Sequence, residues 1–479
     1  MNYKMVKYIL GLMMKVNGYL MLIPFTISIL FAEPTSLAFL PPIVVLIGLG
    51  TMLSQKLPER NNIYAKEGMV IVALSWLIFS LFGAIPFFIS GAIPSAVDSF
   101  FETVSGFTTT GSTILTDIES LPRGILFWRS FTHWIGGMGV LVFALAVLPK
   151  TNSQAMHIMK AEVPGPTVGK LVSRMRSTAQ ILYGIYIALT LVEVIFLYLG
   201  DMPLFDSVLT AFSTAGTGGF AITNTSIAHY DSYYIDMVVS VFMLIFGINF
   251  NLYFLILTKN FYEAIRSEEL HWFLGIVAVA TLAISFDIRG LYESNAQTFR
   301  YAFFQVSSIM TSTGFGTYDY MKWSSFSQAI LMILMMIGAC AGSTGGGIKV
   351  SRILIMAKTV ARSIKKSLHP NWVMPITIDD KSLEDEVVHG VGIYIMTFSL
   401  IFVFSVLALT ALGLDLETAF GAVNGTINNI GPGLRSLGPA GNFAHLTTTM
   451  KLILCFDMLA GRLELYPVLA LFTLNTWRK

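Results

Sequence analysis

Four glycines, Gly111, Gly219, Gly314 and Gly431, recur at near-regular intervals along the chain, and the residues ahead of each share a chemical type. Two positions before them stand Thr109, Thr217, Ser312 and Asn429, and one position before them Thr110, Gly218, Thr313 and Ile430. Six positions before stand Ser105, Ser213, Ser308 and Gly425. The first copy sits in FTTTGSTILTD, Phe107 to Asp117, an island of hydroxyls in an apolar surrounding. Hydroxyl and peptide oxygens gathered on one axis can replace the water shell of a monovalent cation. Glycine fits such a place because it takes backbone angles closed to other residues and leaves room where segments crowd. One T-T-T-G is commonplace in loops, whereas four aligned copies are a signal.

These loops need a scaffold, and composition says which solvent it meets. The 479 residues are 54% hydrophobic and only 12% charged, with a mean hydropathy of +0.70. Soluble globular domains carry about twice that share of charge, so this is a membrane protein. Uncharged runs long enough to cross a bilayer cover Gly68 to Val97, Ser130 to Pro149, Met237 to Thr258, Leu270 to Phe286, Trp323 to Ile348 and His389 to Leu414. The apolar stretch Tyr8 to Ala32 is read as a retained span, because Lys15 interrupts it and no small-residue cleavage site follows. Cys340 and Cys455 both fall in apolar segments and define no disulfide framework.

Charge distribution orients the spans. The connectors Leu53 to Glu67, Lys150 to Arg176, Lys259 to Glu269 and Lys349 to Lys381 hold more than half of the chain's 30 lysines and arginines. Basic residues near span ends stay inside, so these connectors and both termini are expected on the cytoplasmic side. The opposite connectors carry only Arg123, Arg129, Arg289, Arg300, Lys322, Arg435 and Lys451. Acidic residues there, Asp117, Glu119, Asp231 and Asp319, could gather cations at a mouth or stand as plain loop charges.

Between consecutive spans lie segments too short to cross: Asp98 to Thr108, Phe205 to Thr214, Tyr301 to Met310 and Glu417 to Thr426. Ten or eleven helical residues reach roughly 16 Å, about half the hydrocarbon thickness. Each such half-helix must turn back, and each ends in one of the four glycine loops. The expectation is ten crossings in an all-helical membrane protein: an extra pair of helices in residues 1–54, then four units of span, half-helix, polar loop and span at 55–150, 151–260, 261–368 and 369–479. Polar backbone at membrane depth survives only where it is buried in protein or lines a water-filled path. Half-helices whose carboxyl ends face a shared axis add a partly negative potential that favours a cation.

Two further features lie beneath the loops. IGACAGSTGGGIK breaks the run Trp323 to Ile348 with Gly338, Gly342, Gly345, Gly346 and Gly347, each costing a helix about 1 kcal/mol relative to alanine. A continuous helix is not expected there; Ser343, Thr344 and the rest of 338–348 could instead lie across the path as a movable barrier, with Lys349 just beyond. It is not a phosphate-binding P-loop, because Ile348 separates Gly347 from Lys349 and valine follows. Arg462 is a charge inside the last span, and intramembrane charges are functional by default; its bland alternative is an ion pair with Asp457 or Glu464.

The pieces SGFTTTGST, GACAGSTGGGIKVSRI, NNIGPGL and AGRLEL, spread over nearly the whole chain, resemble the TrkH family of the bacterial Trk/Ktr potassium transporters. That resemblance implies four repeats around one pore, a homodimer in the bacterial inner membrane, and a cytosolic nucleotide-binding ring of the TrkA type. It also implies a potassium filter at Thr109, Thr110, Gly111, Thr217, Gly218, Gly219, Ser312, Thr313, Gly314, Asn429, Ile430 and Gly431. The glycine-rich break would be the intramembrane gate and Arg462 a positive barrier beneath the filter. Each loop aligns on one glycine, which implies fewer ordered sites than a tetrameric potassium channel holds and puts strict exclusion of sodium, and the rank of rubidium, in question.

Other functions fit less well. The seven histidines are scattered without ligand spacing, so an intramembrane metalloprotease has no support. No nucleic-acid motif appears, and no enzyme cofactor is expected. A proton- or sodium-coupled potassium symporter is the rival, since broken helices also mark symporter sites. Here every unit returns to the same basic side, which favours parallel repeats around a central path.

Overall fold

The computed structural model describes residues 1–59, 63–139, 175–371 and 374–477. Most of the basic connector at 150–176, and the end of the apolar run from Ser130 to Pro149, lie outside the described residues. Among the described residues six helices are long and apolar enough to cross a membrane: Tyr3–Leu30, Pro34–Leu53, Ala65–Ile89, Ala179–Leu199, Glu268–Ile288 and Asp385–Ala411. The first two pack closely on small residues, since a side-chain carbon on Gly50 would sit 2.7 Å from the Gly11 carbonyl oxygen.

Downstream, one order of elements occurs four times. A long helix leads to a short one, then a polar loop, then a second helix. The short helices are Ala96–Phe107, Leu204–Ala215, Asn295–Met310 and Leu416–Ile427. Three start at a side chain that caps them: the Ser95, Ser294 and Asp415 oxygens accept from the amides of Asp98, Gln297 and Thr418. The third helix begins six residues earlier than expected from sequence, because the Ser294 cap precedes a run that continues helical through Arg300. Arg300 is thus a helix residue, not a loop charge.

The second helices differ from expectation in length. Arg123–Gly137, Tyr233–Gly247 and Thr448–Arg462 have 15 residues each and Ser325–Ile337 has 13. At 1.5 Å per residue they reach about 20–22 Å, short of the roughly 30 Å hydrocarbon core. The run Met237 to Thr258 is therefore not one helix; Tyr233–Gly247 and Phe250–Leu257 meet at 87°. The cause is local: Ile248 is extended, and the Asn249 side chain caps the next helix by accepting from the Asn251 amide. Likewise the run Trp323 to Ile348 is helical only to Ile337, where Gly338 takes φ +74°. The β-structure among the described residues is a two-stranded antiparallel ribbon, Thr377–Ile378 with Lys381–Ser382, in the connector that follows.

The second helix of each unit packs against the short helix of the next, and that of the fourth packs against the short helix of the first. The four units therefore close into a ring. Each seam carries a polar clamp. Asp236 pairs with Arg300 at 2.6 Å and Lys451 with Asp98 at 2.7 Å. Asn424 Nδ2 donates to the Met332 carbonyl at 3.3 Å, and Arg129 Nη1 to the Ala221 carbonyl at 2.7 Å. Arg129, read from sequence as a connector charge, lies within the helix Arg123–Gly137 and is 2% exposed.

Candidate functional site

The four loops have one backbone conformation. Thr109, Thr217, Ser312 and Asn429 all take left-handed angles, at φ +54°, +51°, +57° and +55°, and Gly111, Gly219, Gly314 and Gly431 take φ +82°, +73°, +83° and +98°. The hydrogen bonds repeat as well. The amides of Thr110, Gly218, Thr313 and Ile430 donate five residues back, to the carbonyls of Ser105, Ser213, Ser308 and Gly425, at 2.8–2.9 Å. Those of Thr109, Thr217, Ser312 and Asn429 donate three residues back at 2.9–3.1 Å. This pair of bonds is the Schellman ending of a helix, which normally puts glycine at the left-handed position. Three hydroxyl residues and an asparagine hold that position instead, at about 1–3 kcal/mol of strain each.

Tertiary bonds hold two of these strained residues. Ser312 Oγ donates to the Thr311 carbonyl at 2.6 Å and accepts from the Gly346 amide at 2.5 Å. Asn429 Nδ2 donates to Thr110 Oγ1 at 3.0 Å and to the Met458 carbonyl at 2.9 Å. All of these residues are buried.

The glycines show how the loops face one another. A side-chain carbon built on Gly111 would overlap the Gly218 carbonyl oxygen, one on Gly219 that of Thr313, and one on Gly314 that of Ile430. On Gly431 it would stand 2.7 Å from the Thr110 carbonyl oxygen. The sequence of contacts runs from the first unit to the second, third and fourth and back to the first. All four glycines also line a single cavity of about 170 Å³, together with the residues just after them. The twelve residues singled out from sequence are thus brought to one place, with the carboxyl ends of four short helices behind them. Such an arrangement presents carbonyl oxygens in the negative lobe of four helix dipoles.

Below the ring lies the glycine-rich segment. From Gly338 to Lys349 the chain is non-helical and largely buried, with Gly342 and Gly347 at φ +70° and +79°. It touches the second and fourth units as well as its own. The Cys340 amide donates to the Gly247 carbonyl at 3.1 Å, and the Phe250 amide to the Gly342 carbonyl at 3.0 Å, which fastens it into the break of the second unit. A side-chain carbon on Gly345 would stand 2.8 Å from the Thr311 carbonyl, and one on Gly346 would overlap that of Asn428. Lys349 Nζ donates to the Gly345 carbonyl and closes the segment on itself. Glu269 Oε1 accepts from the amides of Ala341 and Ser351 at 2.7 and 3.0 Å, clamping both ends.

Arg462 bridges this segment to the first unit. Its Nη1 donates to the Thr344 carbonyl at 2.7 Å, and its Nη2 to the Gly136 and Gly137 carbonyls at 2.6 and 2.7 Å. The two acids of the alternative reading have partners of their own: Asp457 accepts from Ser405 Oγ at 2.7 Å, and Glu464 pairs with Arg352. Gly136 and Gly137 are close-packed, with a carbon on Gly137 falling 2.6 Å from the Gly216 Cα. Of the outer acids, Asp117, Glu119 and Asp231 are exposed loop residues that partner the Ser120 amide, the Asn224 amide and Arg300, and Asp319 accepts from the Met321 amide.

A helical ring with inward-dipping loops, broken second helices and a buried glycine-rich crosspiece defines a membrane protein of the four-unit cation-transport class. The TrkH family, described as a cation transport protein, matches residues 36–285 and 291–477, and this chain belongs to it. It is 36% identical over 487 residues to the Trk system potassium uptake protein TrkH of Salmonella typhimurium, covering 100% of both chains. The Trk system potassium uptake protein TrkG of Escherichia coli is 33% identical, with 99% of each covered. The crystal structure of the potassium transporter TrkH from Vibrio parahaemolyticus superimposes with a TM-score of 0.90 at 33% identity, over 100% of both chains.

Proposed function

We propose that this chain is the potassium-translocating subunit of a Trk-type uptake system in a bacterial inner membrane, with both termini cytoplasmic. The observation that carries the reading is the closed succession of glycine-to-carbonyl contacts, which puts four quasi-equivalent sets of peptide oxygens around one axis. Thr109, Thr110 and Gly111, with their counterparts at 217–219, 312–314 and 429–431, act as the selectivity filter. A dehydrated potassium ion exchanges its water shell for their carbonyls, and rubidium or sodium competes for the same oxygens. The helices in residues 1–54 flank the four pore units without lining the path.

The segment 338–348 acts as the gate. It lies on the cytoplasmic side of the filter, and Arg462 sets a fixed positive charge beneath the ring while tying the segment shut through Thr344. Opening breaks that tie. The reading includes a homodimer and a cytosolic TrkA-type nucleotide-binding ring that drives the gate from the basic connectors. Uptake follows the membrane voltage, so current should persist without a proton or sodium gradient; current that vanishes when both are collapsed would favour ion-coupled symport. The direct test is growth of an uptake-deficient bacterium at limiting potassium. The full chain should restore growth and Gly219→Ala should not, whereas equal growth of the two strains would refute the filter assignment.

A further inference from the structure

One buried ion pair belongs to neither filter nor gate. Glu102, in the short helix of the first unit, and Arg129, in its second helix, meet at 2.7 Å with side chains 0% and 2% exposed. The Glu102 carboxylate also accepts from Thr113 Oγ1 and from the Ile114 amide, both at 2.9 Å, so it holds the first loop two and three residues past Gly111. Arg129 reaches the other way. Its Nη1 donates to the Ala221 carbonyl at 2.7 Å, two residues past Gly219, and its guanidinium lies 3.6 Å from the centre of the Phe220 ring. Arg129 lines the cavity that all four glycines share. The pair has no counterpart around the ring: the positions nine before each remaining glycine are Thr210, Gln305 and Ala422.

We propose that Glu102 and Arg129 are specificity-determining, positioning residues of the outer vestibule. They lock the first loop to the second and hold one positive and one negative charge in balance beside the ion path. Two parts of the arrangement carry this. The hydrogen bonds fix the carbonyls that follow Gly111 and Gly219, which sets the width of the ring on that side. The charges cancel only as a pair: Arg129 lines the cavity and Glu102 lies directly behind it, so removing one leaves the other uncompensated in a region of low dielectric, where it changes the local cation concentration. The inference rests on the filter reading above.

The test uses the full chain in the uptake-deficient bacterium, with membrane abundance measured alongside the apparent KM for potassium and the exclusion of sodium. Glu102→Gln leaves Arg129 uncompensated and should raise KM about fivefold, while Arg129→Gln should lower it, each shift shrinking as ionic strength rises. The double variant should return close to the parent KM and yet admit more sodium, because the clamp is gone. Arg129→Lys keeps the charge but lacks the two-armed fork. It should hold KM within about twofold while losing sodium exclusion, which decides the question even if a glutamine variant fails to reach the membrane. Single variants that both move KM the same way, or leave it unmoved, or a lysine variant with intact sodium exclusion, would overturn the proposal. Gly219→Ala separates the two ideas. If it transports normally, the filter reading falls; if it is dead while KM is flat across the 102 and 129 variants, only this proposal falls.

Discussion

The loops of the first and fourth units, Thr109-Thr110-Gly111 and Asn429-Ile430-Gly431, share no residue but the glycine, yet they have the same signs of φ and the same two returning hydrogen bonds. Side chains differ and main chain does not. The middle position makes the contrast plain, being threonine, glycine, threonine and isoleucine around the ring. An ion path built from hydroxyls would not tolerate an isoleucine or a glycine there. One built from carbonyls is indifferent to both.

The largest way to break this equivalence is to put a side chain where two loops touch. Gly219→Ala forces a methyl onto the Thr313 carbonyl and should abolish potassium uptake, as should Gly111→Ala and Gly314→Ala. Gly431→Ala meets its neighbour at 2.7 Å and should retain measurable flux, so uptake assays on all four substitutions should rank it mildest. Next comes the crosspiece below. Arg462→Gln removes three hydrogen bonds to carbonyls of two units and should raise basal flux several-fold, an effect of about 1–2 kcal/mol read as tracer uptake without the regulatory partner. Unchanged basal flux would separate this arginine from gating. A smaller effect is expected for Asn429→Ala, which loses the bonds to Thr110 and Met458 while keeping the strained φ, and should weaken potassium-over-sodium discrimination more than it weakens flux. Ile430→Thr should be nearly silent in both measurements. A strong phenotype there would show that side chains, not carbonyls, distinguish the loops.

Sequence made some of this legible and hid the rest for physical reasons. The four loop glycines could be aligned because a left-handed residue pressed against a neighbouring carbonyl can only be glycine. The non-helical crosspiece was visible because five glycines in thirteen residues defeat a helix. The left-handed turns at Thr109, Thr217, Ser312 and Asn429 were invisible, since nothing local favours that conformation in threonine or serine. The Ser312–Gly346, Asn429–Thr110 and Asn429–Met458 contacts, made by distant segments, show what holds two of them.

The break at Ile248–Asn249 was equally hidden. Apolar residues continue on both sides of it, so hydropathy saw one span where the backbone turns through 87°. Charges misled in the same way. Arg129, Arg300 and Lys451 counted as outer connector residues, but their partners Glu102, Asp236 and Asp98 come from elements that sequence distance conceals. For Arg300 and Lys451 the partner lies in a neighbouring unit of the closed ring, whereas Glu102 and Arg129 share the first unit.

The hydroxyl of Ser312 touches both machines at once, buttressing the third loop on one side and receiving the Gly346 amide on the other. Swinging the crosspiece aside must therefore pull a strut from beneath one quadrant of the sieve. On the proposed roles, permission to pass and the ability to discriminate are mechanically geared in that quadrant, so a fully open conduit is expected to be a slightly less fastidious one.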